Sequence, residues 1–305
     1  MIENKITIGY FADGPWGHGA FRNIMEDETL EMDFVCVRYG QPDKILSKMA
    51  KEKGIDVLCT PNVNSKEFLE TLKGYPSELY VSMSFNQIFR KEIRGLPAMK
   101  IINCHAGKLP FYRGRNILNW VLINDEKEFG ITVHYVDSGI DTGDILIQRT
   151  YEITDQDTYG TLLEKAYQEC PDLLYQAIKQ IQTGSAHPWK QDEVSTAGLY
   201  CGIRRENDEI LDWNQTSREV FNFIRALTKP GPCACSYCRE QRILFFSSAL
   251  VPDAPVYKGI PGQVLVKQPG YLLVKTKDSY LKVTGYEGNV KVGDRMRTAV
   301  DAKYC

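Results

Sequence analysis

Across residues 5–153, short β-rich runs alternate with stretches of helical periodicity, and this alternation restricts the fold more than any other feature of the chain. Strand-like runs at residues 5–11, 34–37, 56–60, 79–82 and 99–103 are separated by helix-forming stretches at 20–30, 43–53 and 66–73. Strands joined through helices of this length pair in parallel with the helices packed on their faces, which predicts a doubly wound, Rossmann-like α/β sheet. Asp13-Gly14-Pro15 reads as the break after the first strand. A further helix is expected at 116–124, with strands at 130–136 and 145–153. Asp157 and Thr158 then cap a long helix to about Gln182, with Leu162, Leu163, Ala166, Leu173, Leu174, Ile178 and Ile181 on a helical period.

The pattern changes after Thr183-Gly184-Ser185. Residues 186–207 mix Pro, Gly, Gln and charge without periodicity, which marks a linker lying partly on the first domain. Beyond it, Thr216 and Glu219 have capping-box spacing for a helix through Leu227. Short strands are expected at 241–247, 262–267, 271–276 and 279–284, the pattern of a small OB-like β-barrel. The resulting division is an N-terminal domain at 1–185, a linker at 186–207 and a C-terminal domain at 208–305.

At 305 residues, 43% hydrophobic and 25% charged, the chain has the balance of a globular protein large enough for two domains. A net charge of −2 and a pI near 6.2 give no global attraction to a polyanion, so no nucleic-acid partner is expected. No apolar run approaches the roughly 20 residues of a membrane helix, and Met1-Ile2-Glu3-Asn4-Lys5 is not a secretory signal. A cytoplasmic location without membrane association is the expectation. Nine cysteines, odd in number and irregularly spaced, read as reduced thiols rather than a disulfide framework. Cys233, Cys235 and Cys238 invite a zinc hypothesis, but no fourth ligand or second cysteine pair accompanies them, and no metal is expected.

The chemistry concentrates in two segments. Asn103 and His105 follow the apolar run 99–102, at the strand end where α/β enzymes place reactive groups. Asp141 lies in the loop 137–143. An amide donor, an imidazole and a carboxylate form a minimal set for acyl transfer to an amine. Each has a plainer reading too: a polar residue at a strand end caps loops, and Asp137-Ser138-Gly139 is by itself a turn. His134 reads as a packed or surface histidine, and His18 and His187 as loop residues without partners. Gly14 to Gly19 lacks G-x-G-x-x-G spacing, so no dinucleotide is predicted.

Asn103-Cys104-His105, then Leu109-Pro110 and Arg113-Gly114, then the run 130–143 ending Asp141-Thr142-Gly143, resemble the N10-formyltetrahydrofolate-dependent formyltransferase family. The resemblance spans the first 185 residues and extends more loosely into the C-terminal domain. It implies a catalytic triad of Asn103, His105 and Asp141, N10-formyltetrahydrofolate as co-substrate, and transfer of a formyl group to an amine. His105 either holds the oxyanion with Asn103 or takes the amine proton, and both roles stay open. The pterin side is expected to involve Met83, Ser84, Phe85, Asn86, Ile88, Asp137, Gly139 and Ile140. The acceptor side is expected to involve Gly14, Trp16, Lys108, Arg113 and Arg115. Residues 9–16, 82–89, 202–213 and 231–237 look like the branch acting on nucleotide-linked amino sugars in polysaccharide biosynthesis. That branch implies a 4-amino-deoxysugar on UDP, or next on dTDP, and allows a homodimer. Methionyl-tRNA formyltransferase, with the same two-domain plan, is the alternative.

Overall fold

The computed structural model describes residues 5–256 and 258–297, and these form two compact units. The units interleave along the chain. The first takes the described residues up to Gly114, then Phe129–Tyr151 and Glu164–Cys201; the second takes Arg115–Glu128, Glu152–Leu163 and the described residues from Gly202. The expected linker thus divides, with residues 186–201 in the first unit.

In the first unit, strands β1 (Ile6–Ala12), β2 (Leu30–Val37), β3 (Asp56–Cys59), β4 (Leu79–Met83) and β5 (Ile101–His105) run parallel in the order β3-β2-β1-β4-β5. Helices α1 (Gly14–Met25), α2 (Lys44–Glu52), α3 (Lys66–Leu72) and α4 (Lys91–Arg94) alternate with them. All five residues of β4 are buried, as a strand covered on both faces requires. The helix starts are encoded locally: Asp43 accepts from the Ile45 and Leu46 amides, and Ser65 accepts from Phe68. Phe11, Phe34, Cys36, Tyr80, Phe89 and Ile101 belong to one buried cluster, against which Phe85 and Val136 pack.

Two expectations near the N-terminus change. Gly14-Pro15 is the first turn of α1 rather than a break, because proline's fixed φ suits a position whose amide has no helical partner. The helix ends at Met25, and Leu30 begins the next strand. His18 therefore lies in a helix, where its Nε2 meets Asp43 Oδ2 at 2.7 Å.

The remaining strands depart from a purely parallel sheet. After β6 (Arg113–Gly114), strands β7 (Glu128–Tyr135) and β8 (Ile145–Glu152) complete the seven-stranded sheet, with β7 antiparallel to β5. The β5–β7 register places Asn103 opposite His134 and His105 opposite Thr132. β9 (Tyr200–Cys201) pairs in parallel with β6.

In the second unit, α5 (Ile117–Ile123) packs with a later helix of the same unit. The long α6 (Tyr159–Gln182) follows in the chain, and α7 (Ser217–Ala226) is the partner of α5; Asn119 Nδ2 donates to Ala226 O at 2.7 Å. Thr216 and Glu219 form both halves of the capping box at the start of α7. Five antiparallel strands, β10 (Ala234–Cys238), β11 (Gln241–Ala249), β12 (Val264–Gln268), β13 (Tyr271–Lys275) and β14 (Tyr280–Glu287), make a sheet in the order β10-β11-β14-β13-β12. Bridges from Arg295 to Gln263 and from Arg297 to Tyr237 span the gap between its two edges. β10 absorbs the cysteine cluster: Cys235 and Cys238 are buried strand residues and Cys233 precedes the strand. No group of three potential metal ligands occurs among the described residues. No helix among them is long and apolar enough to cross a membrane.

Candidate active site

Strand parity orders the first two groups. Side chains alternate along β5, so Asn103 and His105 share one face while Cys104 takes the other. Cys104 is buried there, its Sγ 3.7 Å from Cys170 O.

The third group arrives from the loop between β7 and β8, closed by the Tyr135 amide donating to Asp144 O at 2.9 Å. Asp137 Oδ1 accepts from the Gly139 amide at 3.0 Å and from Thr142 Oγ1 at 2.5 Å, shaping its tip. Gly143 permits the return, since a Cβ there would lie 1.8 Å from Tyr135 O. Asp141 sits in the left-handed region, φ 54°. The Gly114 amide donates to its Oδ2 at 2.9 Å, and Gly114 itself has φ 96°.

Asp141 faces two imidazoles. His105 Nδ1 is 3.7 Å from Oδ2, and His134 Nε2 is 3.6 Å from Oδ1. His105 Nε2 donates to Tyr112 O at 2.7 Å, leaving Nδ1 turned to the carboxylate. His134 Nδ1 donates to Tyr135 O at 2.8 Å, so its Nε2 accepts from Asn103 Nδ2 at 3.3 Å. This tautomer follows from the hydrogen-bond network. Burial alone would push the Asp141 carboxyl pKa up. His105, His134 and the Gly114 amide outweigh that and hold it well below the usual carboxylate range, so the group is ionised at neutral pH.

Asn103, His105 and Asp141 thus converge, and two further residues join them. His134 orients Asn103 and flanks Asp141, although it reads in the sequence as a packed or surface histidine; it lies within the run 130–143, but its contact with Asn103 depends on the β5–β7 register. Gln191, 50 residues from Asp141, donates to both Asp141 O and Gly143 O at 2.8 Å, and no sequence signal singled it out.

The other expected site residues are spread more widely. Arg113 is engaged within the fold: its Nη2 and Nε donate to Gln191 Oε1 at 2.6 and 3.1 Å, and its guanidinium lies over the Tyr200 ring. Arg115 is exposed and Lys108 half-buried. Gly14 starts α1 with its amide on Asp43 Oδ2, and Trp16 packs edge-on against Tyr167 with centroids 4.7 Å apart. Met83 is buried, whereas Ser84 takes φ 57° and accepts from Arg38 at both its carbonyl and its hydroxyl. Phe85 packs on Phe11 and stacks on Phe89. Asn86, Asp137 and Gly139 are exposed, and Ile88 and Ile140 are apolar side chains 62% and 51% exposed.

An amide donor, an imidazole and an ionised, mostly buried carboxylate within one constellation can stabilise an oxyanion and move a proton. Known proteins agree with that chemistry. Residues 33–178 match the family described as formyl transferase, and residues 204–292 match the formyl transferase C-terminal domain. Methionyl-tRNA formyltransferase of Halothermothrix orenii (strain H 168 / OCM 544 / DSM 9562) is 37% identical over 78% of this chain and 76% of its own length. That of Thermodesulfovibrio yellowstonii (strain ATCC 51303 / DSM 11347 / YP87) is 31% identical over 78% of this chain and 74% of its own. Among solved structures, WlaRD, a sugar 3N-formyl transferase crystallised with dTDP and 5-N-formyl-THF, shares the fold with a TM-score of 0.72. It is 19% identical, and the match covers 94% of this chain and 100% of WlaRD. Two family matches that cover both halves of the chain, with relatives this similar over three quarters of their length, place the protein in the formyl transferase family.

Proposed function

We propose that this enzyme transfers a formyl group from N10-formyltetrahydrofolate to a primary amine. The observation that carries the reading is the convergence of Asn103, His105 and Asp141, with Asp141 held ionised beside the imidazole. The amine nitrogen attacks the formyl carbon, a new C–N bond forms, the bond to N10 breaks, and the amine's proton passes by way of His105 to the departing nitrogen. Asn103 Nδ2 has a second hydrogen beyond the one given to His134, and it donates to the carbonyl oxygen as that oxygen gains charge. The Asp141 carboxylate stabilises positive charge on His105 while the proton is in transit. The exposed Ile88 and Ile140 offer apolar surface to the pterin. WlaRD's formyl-folate ligand supports a folate donor.

Two acceptors fit this chemistry. The α-amine of methionyl-tRNA is favoured by the relatives, which are 31–37% identical, against 19% for the sugar enzyme WlaRD. The amine of a nucleotide-linked amino sugar is favoured by the net charge of −2, since binding a phosphate backbone relies on clustered cations. Mass spectrometry separates them when purified protein and N10-formyltetrahydrofolate are offered charged initiator methionyl-tRNA and, in separate reactions, UDP- and dTDP-amino sugars. A formyl gain on the tRNA alone supports the first acceptor, and a gain on a sugar alone the second. No gain on any acceptor refutes both. Transfer by Asn103→Ala at the wild-type rate would refute the mechanism.

A further inference from the structure

We propose that Gln191 is a positioning residue for Asp141, a role that rests on the catalytic reading given above. Gln191 is 4% exposed and begins a short 3-10 turn, Gln191–Glu193. Its amide is saturated. Nε2 spends its two hydrogens on Asp141 O and Gly143 O, each at 2.8 Å, and Oε1 accepts twice from Arg113. Arg113 is itself confined, by Tyr200 at 5.4 Å and by the passing chain at Gly198, where a Cβ would lie 2.0 Å from its Nη1.

These bonds form a closed circuit. Asp141 O is held by Gln191, Gln191 by Arg113, and the next residue, Gly114, grips Asp141 Oδ2. The circuit clamps the residue by both its main chain and its carboxylate. It also explains how an aspartate stays in the left-handed region, which L side chains rarely adopt without support. The 3.7 Å approach of Asp141 Oδ2 to His105 Nδ1 depends on that clamp, and displacing a reacting group by about 1 Å can cost about 100-fold in rate.

Gln191→Glu tests the clamp, because it keeps the volume and the partner for Arg113 while removing both donors. Turnover is measured with N10-formyltetrahydrofolate and the acceptor identified by mass spectrometry, with Asp141→Asn alongside and the thermal midpoint recorded. We expect kcat to fall about 10- to 100-fold, with KM for the folate within about threefold of wild type. Gln191→Met, which removes every hydrogen bond at similar volume, replaces it if Q191E does not fold. Placed on the Asp141→Asn background, the substitution is expected to cost no further turnover, since a residue that acts through Asp141 has nothing left to position. Wild-type kcat in Q191E beside an inactive D141N overturns the positioning role alone. A loss confined to KM, or one that adds in full to D141N, assigns Gln191 to structure and overturns it as well. Wild-type turnover in D141N overturns the catalytic reading and the positioning role with it.

Discussion

Two aspartates, one in each unit, share a backbone conformation and an electrostatic direction yet serve opposite ends. Asp141 has φ 54° and Asp125 φ 57°, and each carboxyl is pulled below its ordinary pKa. Asp125 owes its conformation to the end of α5. Its amide donates to Leu122 O and the Glu126 amide to Val121 O, the pair of bonds of a left-handed helix stop. Its carboxylate is then taken by Arg218, with Nε at 2.9 Å. Burial pushes that carboxyl up, but hydrogen bonds from Arg218, Lys127 and Asn222 outweigh it and bring the pKa to about 2. Asp141 is held left-handed by groups distant in sequence and looks onto two histidines at 3.6–3.7 Å, too far for a strong hydrogen bond. A guanidinium close against Asp125 stays charged at every working pH and gives a fixed pair. Among the described residues, Asp141 has no such guanidinium against it; its two neighbours are imidazoles, the side chains the proposed mechanism uses.

The sharpest way to break this contrast is Asp141→Asn. We expect kcat for formyl transfer to drop about 1,000-fold or more with the protein still folded, read from steady-state kinetics and the thermal midpoint. If turnover survives, the two aspartates do not differ in kind. His134→Phe should cost less, about tenfold in kcat, because Asn103 loses its orienting acceptor but keeps its place on β5. An unchanged kcat would leave His134 as packing.

The smallest effect belongs to the other partner. Asp125→Asn should leave kcat within about twofold and lower stability by about 1 kcal/mol, since the side chain is 35% exposed and solvent screens the pair. The pH dependence follows from the depressed pKa. A carboxyl at about 2 in the folded state and 3.8 ordinarily contributes its full stabilisation above about pH 4 and loses it as pH falls through about 2. Denaturant unfolding of wild type and Asp125→Asn should therefore differ at pH 7 and converge toward pH 2. A difference that persists at pH 2 would mean that shape, not charge, holds the site.

Much of this contrast was beyond reach of the linear chain, for an identifiable reason. The alternation of strands and helices was legible because each element's periodicity and caps lie in adjacent residues, as at Asp43, Ser65 and Thr216. The start of α1 has the same origin in reverse: Gly14-Pro15 serves a break or a helix start equally well, and only the following turn decides between them. β10 was hidden because its Cys-Ser-Tyr-Cys run looks like a cysteine cluster until β11 pairs with it. Arg113 was visible as a cation beside the triad, but its partner, Gln191, arrives from a stretch without periodicity.

The sequence by itself determined the α/β alternation, the ordered motif that carries Asn103, His105 and Asp141, and the parity that puts the first two on one face of a strand. The alternation and the parity depend on residues within a few positions of one another, and the motif on the order of two separate segments. Only the tertiary structure decided that β7 runs antiparallel to β5, that His134 therefore meets Asn103, and that Gln191 reaches 50 residues back to hold Asp141. Register and long-range hydrogen bonds are set by how whole faces pack, and no local pattern in the chain encodes them.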